Sequence, residues 1–190
     1  MSGRDSHAGT TPLYARRDSL LCCAKLIVAS NEIAKEYNGL ATTGIINAEP
    51  GSVNTMAHTV TFTLDIRHTS DERLSLIENG IRERFTNIAK NESEKGCSVV
   101  WKELVNSPAV TFDESCIAAV KNSAIEACRG VPNTAKDGEQ WKYITSGAGH
   151  DSCYTNRRCP TAMIFTPTKD GISHNPQEYC SPEDWYVSRL

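Results

Sequence analysis

Val60-Thr61-Phe62-Thr63-Leu64-Asp65-Ile66-Arg67 alternates without a break. Val60, Phe62, Leu64 and Ile66 fall on one side, and Thr61, Thr63, Asp65 and Arg67 on the other. A period of two is the side-chain repeat of a strand, and an apolar row backed by a polar one describes a sheet covered on a single face. The cover lies on either side in the sequence. Downstream, Thr69 and Glu72 have capping-box spacing, and Leu74, Ile77, Ile81, Phe85 and Ile88 recur at three- and four-residue steps, the stripe of an amphipathic helix. Lys90 to Gly96 reads as a charged turn and Cys97 to Leu104 as another strand. Upstream, Pro50-Gly51 marks a turn, and Leu40 to Ala48 reads as a strand. Before that, Thr10-Thr11-Pro12 places a hydroxyl and a proline where a helix begins. Leu20, Ala24, Ile27, Val28 and Ala34 continue the helix, and Asn38-Gly39 stops it.

The order helix, strand, strand, helix, strand is the split βαβ (ferredoxin-like) pattern without its first strand. Ser2 to Ser6 is too short and too polar to supply one, so the chain is expected to begin inside a domain. Asn106-Ser107-Pro108 is the boundary candidate, which divides the chain into 1–106 and 107–190. Beyond it, Asp113 can cap a helix carrying Ile117, Val120, Ala124, Ile125 and Cys128, closed by Gly130 and Pro132. A polar loop leads to the glycine turn Ser146-Gly147-Ala148-Gly149-His150-Asp151, then a short helix from about His150. The apolar run Thr161-Ala162-Met163-Ile164-Phe165 reads as a buried strand, followed by the loop Gly171-Ile172-Ser173-His174-Asn175-Pro176, with Glu178 two residues on. Ligands in open α/β sheets bind beyond the carboxyl ends of strands, and His174 falls at such a place. The fold class is α/β, and a single strand in the second region points to an incomplete sheet there.

Composition narrows the function classes. A net charge of −3 over 190 residues leaves no basic footprint for nucleic acid or an anionic membrane. No apolar run is long enough to span a bilayer, and the polar start is unlike a signal peptide. The eight cysteines are dispersed, with only Cys22-Cys23 adjacent and no metal-type spacing, which reads as reduced thiols in a cytoplasmic protein.

Four clusters carry the chemistry. They are His7-Ala8-Gly9-Thr10-Thr11-Pro12 with Arg16-Arg17-Asp18; Pro50-Gly51-Ser52-Val53-Asn54 with Leu64-Asp65-Ile66-Arg67; the Ser146–Asp151 turn; and the His174 loop. In this order, over nearly the whole chain, they resemble the N-carbamoyl-L-amino-acid hydrolases, allantoate amidohydrolases and β-ureidopropionases of the aminoacylase-like metallopeptidase group. The resemblance implies a catalytic α/β domain holding two metal ions, usually zinc, and an inserted lid domain that makes the dimer, as homodimer or heterodimer. It implies hydrolysis of a ureido or amide C–N bond by a metal-activated water, with a glutamate as general base.

Residue by residue, His174 matches the late metal-binding histidine, and neutral imidazole suits zinc. His7 matches the lid histidine that hydrogen-bonds the developing oxyanion. Asn54 and Arg67 match the lid residues that hold the substrate carboxylate, for which a guanidinium fork is the natural partner. The plain alternative for Arg67 is a surface ion pair with Asp65 or with a helix residue. Gly147, Ala148 and Gly149 match the turn lining the substrate; a helix-opening glycine turn is the plain alternative. His150, Asp151 and Glu178 are candidates for supporting the ligands from behind, with Asp151 equally suited to a helix cap and Glu178 to bracing its loop. His58 and His68 lack motif support and read as surface residues, and Leu13 stands where the family often has methionine.

The departure from the family lies in what the chain does not contain. The HxD motif and adjacent glutamate pair that supply metal ligands and base do not occur, and the end at Trp185–Leu190 comes early. The expectation is therefore the C-terminal portion of such an enzyme, from a truncated or split gene, inactive alone and binding no metal tightly. A non-catalytic dimerisation or regulatory module, and an aminoacylase or peptidase of the wider group, are the alternatives.

Overall fold

The computed structural model describes residues 1–91, 94–129 and 141–187. Helix closure by Gly130 and Pro132, and the polar loop after it, lie outside the described residues. The chain divides into two compact units, Met1–Ala109 and Val110–Leu190.

In the first unit, β1 (Ser6–His7) is followed by a 3-10 turn at Leu13–Ala15 and then helix α1 (Ser19–Glu36). The helix starts later than Thr10-Thr11-Pro12 suggests. Asp18 is its N-cap, its carboxylate accepting the Leu21 N–H at 2.9 Å, while Pro12 precedes only the 3-10 turn. The buried stripe is also rotated from the expected one. Ser19, Cys22, Cys23, Leu26, Ala29, Ser30 and Ala34 face inward, whereas Leu20 and Val28 are 43% and 58% exposed. Two serines and two cysteines act as small core residues here. The buried Ser19 hydroxyl donates to the Ala57 carbonyl and the Ser30 hydroxyl to that of Ile27, so neither is left unsatisfied.

The C-terminus of α1 closes with two hydrogen bonds, Gly39 N–H to the Ala34 carbonyl at 2.8 Å and Asn38 N–H to that of Lys35 at 3.1 Å. This is a Schellman closure. Asn38, not Gly39, takes the left-handed conformation, at φ 59°. Gly39 is needed for a different reason: a Cβ there would stand 2.5 Å from Ile77 Cδ1 and 3.1 Å from the Arg67 carbonyl oxygen.

Strands β2 (Leu40–Thr42), β3 (Ile46–Glu49), β4 (Thr55–Met56), β5 (Thr59–Phe62) and β6 (Asp65–Arg67) follow. The expected strand over 40–48 is therefore two. Thr42 faces Asp65 and Ile46 faces Phe62, so residues 43–45 stand against only 63 and 64. One extra residue on the 40–49 side makes a β-bulge. Thr63 seals it, its hydroxyl accepting the Ile45 N–H and its own N–H donating to the Ile45 carbonyl. Because the extra residue lies on the partner, the alternation from Val60 to Arg67 survives intact. Val60 is buried and Phe62, Leu64 and Ile66 pack on the core, while Thr61, Asp65 and Arg67 are exposed.

Helix α2 (Asp71–Asn91) presents the stripe expected of it, with Ile77, Ile81, Phe85 and Ile88 each at most 1% exposed. Its start is held by Ser70 rather than by Thr69: the Ser70 hydroxyl and carbonyl accept the N–H groups of Arg73 and Leu74. The stripe meets Cys22, Leu26, Ala29 and Ala34 of α1 together with the apolar side of the strands.

The expected strand Cys97–Leu104 is reduced to one bridge at Ser98, and Trp101 instead stacks on Phe85 with ring centroids 5.1 Å apart. Ser2, set aside above as too short and polar a segment for a strand, bridges both Ser98 and Thr59, and Thr59 pairs with Glu49. A single row thus crosses the segments at 98, 2, 59 and 49. Further along, Ser6 faces Met56 and His7 faces Thr55. Met1, Ser2 and Gly3 are tied down by backbone hydrogen bonds to residues 58, 60 and 98.

The second unit contains α3 (Glu114–Ala127), α4 (Asp151–Thr155) and α5 (Pro182–Val187). Asp113 caps α3 as its position suggests, accepting the Cys116 N–H at 2.9 Å. Residues 161–165 form neither a strand nor a buried element: Ile164 and Phe165 are 55% and 41% exposed. Among the described residues, one backbone hydrogen bond, Asp113 N–H to the Thr161 carbonyl, ties this run to the rest. An apolar run becomes a strand only beside another, and none lies next to it among the described residues. No described residue of this unit is buried. The overall class is mixed helix with small sheets. All eight cysteines are free thiols, and no helix of the described residues is long and apolar enough to cross a membrane.

Candidate functional site

The His7 cluster is a tight turn hung on β1. His7 Nδ1 accepts the N–H groups of Gly9 and Thr10 at 3.0 and 3.2 Å. With that nitrogen accepting, the proton of the neutral ring sits on Nε2, where the exposed ring can donate it outward. Arg16 staples the turn from behind, Nε to the Thr11 carbonyl and Nη2 to the Ala8 carbonyl at 3.0 and 2.6 Å. Asn54 lies beside it, because Ala8 N–H donates to the Asn54 carbonyl at 2.8 Å. The Asn54 side-chain oxygen accepts from the Ser52 and Thr55 hydroxyls, which turns its amide to offer N–H donors.

Arg67 is not in this group. It faces Leu40, at the opposite end of the strand run that starts beside His7. Its fork is engaged by Asp65, Nε to Oδ1 at 2.9 Å and Nη2 to Oδ2 at 2.7 Å, with both side chains about half exposed. The Arg67 hydrogen bonds hold the Asp65 carboxyl below the usual carboxylate range, and the same pairing raises the guanidinium.

Neither His58 nor His68 is the surface residue its sequence context suggests. Both are half-buried. His68 Nδ1 accepts the Ser70 N–H at 2.8 Å, and its Nε2 lies 3.1 Å from the Tyr37 carbonyl, so one ring joins the end of α1 to the start of α2. His58 meets the Thr59 hydroxyl at 2.9 Å. The signal for His68 was its place between a strand end and a helix cap.

In the second unit, the Ser146 hydroxyl lies 3.1 Å from His150 Nε2 and accepts the Ala148 N–H at 3.1 Å. The His150 ring meets Phe165 edge-on at 5.7 Å. His150, not Asp151, is the N-cap residue of α4, and Asp151 sits in its first turn. A methyl group added at Gly147 or Gly149 would meet nothing within 4 Å, and neither glycine has positive φ. The turn's own fold therefore does not demand glycine. His174 is exposed and left-handed, at φ 57°, and its N–H donates to Glu178 Oε2 at 2.8 Å. Glu178 thus fixes the backbone of the loop rather than the imidazole.

Among the described residues, no group of three or more histidine, cysteine, aspartate or glutamate side chains converges to hold a cation. His174 alone does not make a zinc site, which takes three or four ligands.

Comparison with known proteins places these features. A profile of Peptidase family M20/M25/M40 matches residues 22–189. An allantoate amidohydrolase of Bacillus subtilis (strain 168) is 32% identical over 185 residues, covering 95% of this chain and 41% of the relative. An N-carbamoyl-L-amino-acid amidohydrolase of Paenarthrobacter aurescens is 31% identical, covering 97% and 42%. The crystal structure of a hydantoinase/carbamoylase family amidase from Burkholderia vietnamiensis superposes with a TM-score of 0.84 at 33% identity, over 98% of this chain and 43% of that one. The chain spans about two fifths of the length of these relatives. With a family profile running through nearly all of it and the same fold in a related amidase, this chain belongs to the M20/M25/M40 peptidase family.

Proposed function

We propose that the chain carries the substrate-holding part of an amidohydrolase that cleaves the C–N bond of N-carbamoyl amino acids or allantoate. The observation that carries this reading is His7, whose ring proton is directed to Nε2 by two backbone donors while Asn54 offers amide donors beside it. A neutral imidazole N–H suits a developing oxyanion, and amide and guanidinium N–H groups suit the substrate carboxylate. In the second unit, the turn Gly147-Ala148-Gly149 is the segment matched to a substrate lining, and a Cβ added at either glycine would meet nothing within 4 Å. Among the described residues, His174 is the one that would serve as a ligand to a zinc ion, which when bound would supply the activated water. On this reading the chain alone neither binds zinc tightly nor turns over substrate.

The row Ser98, Ser2, Thr59, Glu49 supports a split βαβ reading of the first unit as a lid, since it sets the N-terminal segment between the third and fourth strands of that pattern. It also supports a homodimer or heterodimer through the lid. Among the described residues the 40–49 strands pair on one side alone, and Leu40, Ile45 and Ile46 are 47–64% exposed there.

Elemental analysis and an ammonia-release assay on N-carbamoyl amino acids test the proposal. The chain alone is expected to hold substoichiometric zinc and to be inactive. Co-expression with a polypeptide equivalent to the rest of the relatives should restore both. Two tightly held zinc ions with turnover by this chain alone would overturn it, and faster cleavage of acyl than of carbamoyl amino acids by the restored enzyme would favour an aminoacylase.

A further inference from the structure

We infer that Arg16 is a positioning residue for His7, fixing the ring proton at Nε2 by way of the peptide unit between Ala8 and Gly9; this rests on His7 being the oxyanion donor. That single peptide group is engaged at both ends. Its carbonyl oxygen accepts from Arg16 Nη2 at 2.6 Å, and its N–H donates to His7 Nδ1 at 3.0 Å. A carbonyl that accepts from a cation polarises its own amide, which makes the N–H on the far side a stronger donor. The guanidinium thus acts on the imidazole without touching it. Its Nε meets the Thr11 carbonyl at 3.0 Å, so the fork spans the turn, and the Thr10 N–H brings a second donor to Nδ1 at 3.2 Å. A ring nitrogen that accepts in this way carries no proton of its own.

The clamp is itself anchored. Arg16 is half-buried, its backbone N–H donates to the Leu13 carbonyl, and its own carbonyl accepts the Lys95 N–H. Gly9 fits the same arrangement: a Cβ there would stand 3.3 Å from His7 Cε1, so the ring lies closer to the turn than a side chain would comfortably allow. The neighbouring Arg17 offers a comparison within the molecule. It is half-buried too, but its Nε donates to the Gly96 carbonyl at 2.9 Å instead of to the turn.

The test is long-range proton–nitrogen NMR of the histidine rings in the full chain, at a pH above the ordinary imidazole range, with R16A, R16K and R17A, and with H7N to assign the signals. The parent should show an unprotonated Nδ1 and a protonated Nε2. Losing one hydrogen bond of the relay should lower the ratio of the Nε2–H to the Nδ1–H form about two- to ten-fold in R16A. R16K keeps the charge but cannot span both carbonyls, so it should fall between, and R17A should match the parent. An unchanged ratio in R16A, or an equal fall in R17A, would overturn the inference and leave the oxyanion-donor reading standing. A parent ring with its proton on Nδ1 would overturn both. Amide dispersion separates these outcomes from misfolding, and should R16A not fold, R16K set against R17A makes the same comparison.

Discussion

Replacing His68 with alanine removes a side chain that ties the end of α1 to the start of α2. Its Nδ1 accepts the Ser70 N–H at 2.8 Å and its Nε2 donates to the Tyr37 carbonyl at 3.1 Å. Tyr37 is the C-cap residue of α1, whose carbonyl lies among those without a partner inside the helix, and Ser70 immediately precedes α2. Each lost hydrogen bond costs about 0.5–1.5 kcal/mol net, so His68→Ala should destabilise the first unit by about 1–3 kcal/mol. His68→Asn separates the two contributions. Its amide oxygen stands near the position of Nδ1 and can still accept from Ser70, but the side chain is too short to reach Tyr37, so about half the loss should return. Urea denaturation followed by Trp101 fluorescence, with Trp141 and Trp185 changed to phenylalanine, reads this unit because Trp101 stacks on buried Phe85. With a urea slope of about 1–3 kcal/mol/M, the His68→Ala midpoint should fall by about 1 M. A loss under about 0.5 kcal/mol, the range of an ordinary surface change, would refute the bridging role. So would an asparagine variant as damaged as the alanine one.

Gly39→Ala should cost about 1–3 kcal/mol in the same assay, because its methyl group meets Ile77 Cδ1 at 2.5 Å in a filled core. Asn38→Gly, at φ 59°, should be tolerated, and the opposite ranking would sink the close-approach argument. Asp18→Ala leaves the Leu21 N–H without its acceptor and should lower the stability of α1 by about 1 kcal/mol, whereas Asp18→Asn should be nearly silent; hydrogen exchange at Leu21 checks both. Asp113 is held below the usual carboxylate range by the Ser115 hydroxyl and the Cys116 N–H. A depressed folded value gives stabilisation that is present above the unfolded value and lost as pH falls through the folded one. Helix α3 should therefore loosen only below the ordinary aspartate range, and Asp113→Asn, which still caps, should flatten that acid step in amide exchange of residues 114–127.

What the sequence disclosed depended on how local its physics was. Ile77, Ile81, Phe85 and Ile88 announce α2 because a helix buries residues a few positions apart and all four are unambiguously apolar. The stripe of α1 was misplaced because Ser19, Cys22, Cys23 and Ser30, which face inward, do not read as apolar, while exposed Leu20 and Val28 do. Composition gives the Thr161–Phe165 run the look of a strand, yet a ladder needs a neighbour, and no local pattern reports whether one exists. The site shows the same division. His7 and Asn54 carry motif letters, but their adjacency arises from β1 pairing with β4 across nearly fifty residues. Arg16 has no sequence signal of its own, and it is the staple of the His7 turn. Both readings of Arg67 are legible in the sequence, and the pair with Asp65 is present in the structure.

The uneven burial of the two units has a calorimetric consequence. Heat-capacity gain on melting comes from wetting dry apolar surface, and every fully enclosed side chain among the described residues lies at or before Cys97. A scan of the whole 190-residue polypeptide should therefore yield roughly the 1.3–1.6 kcal/mol/K appropriate to Met1–Ala109 rather than about 2.3–2.9 for its full length. The missing portion of that signal measures how much hydrocarbon the remaining eighty or so residues keep open to a covering surface.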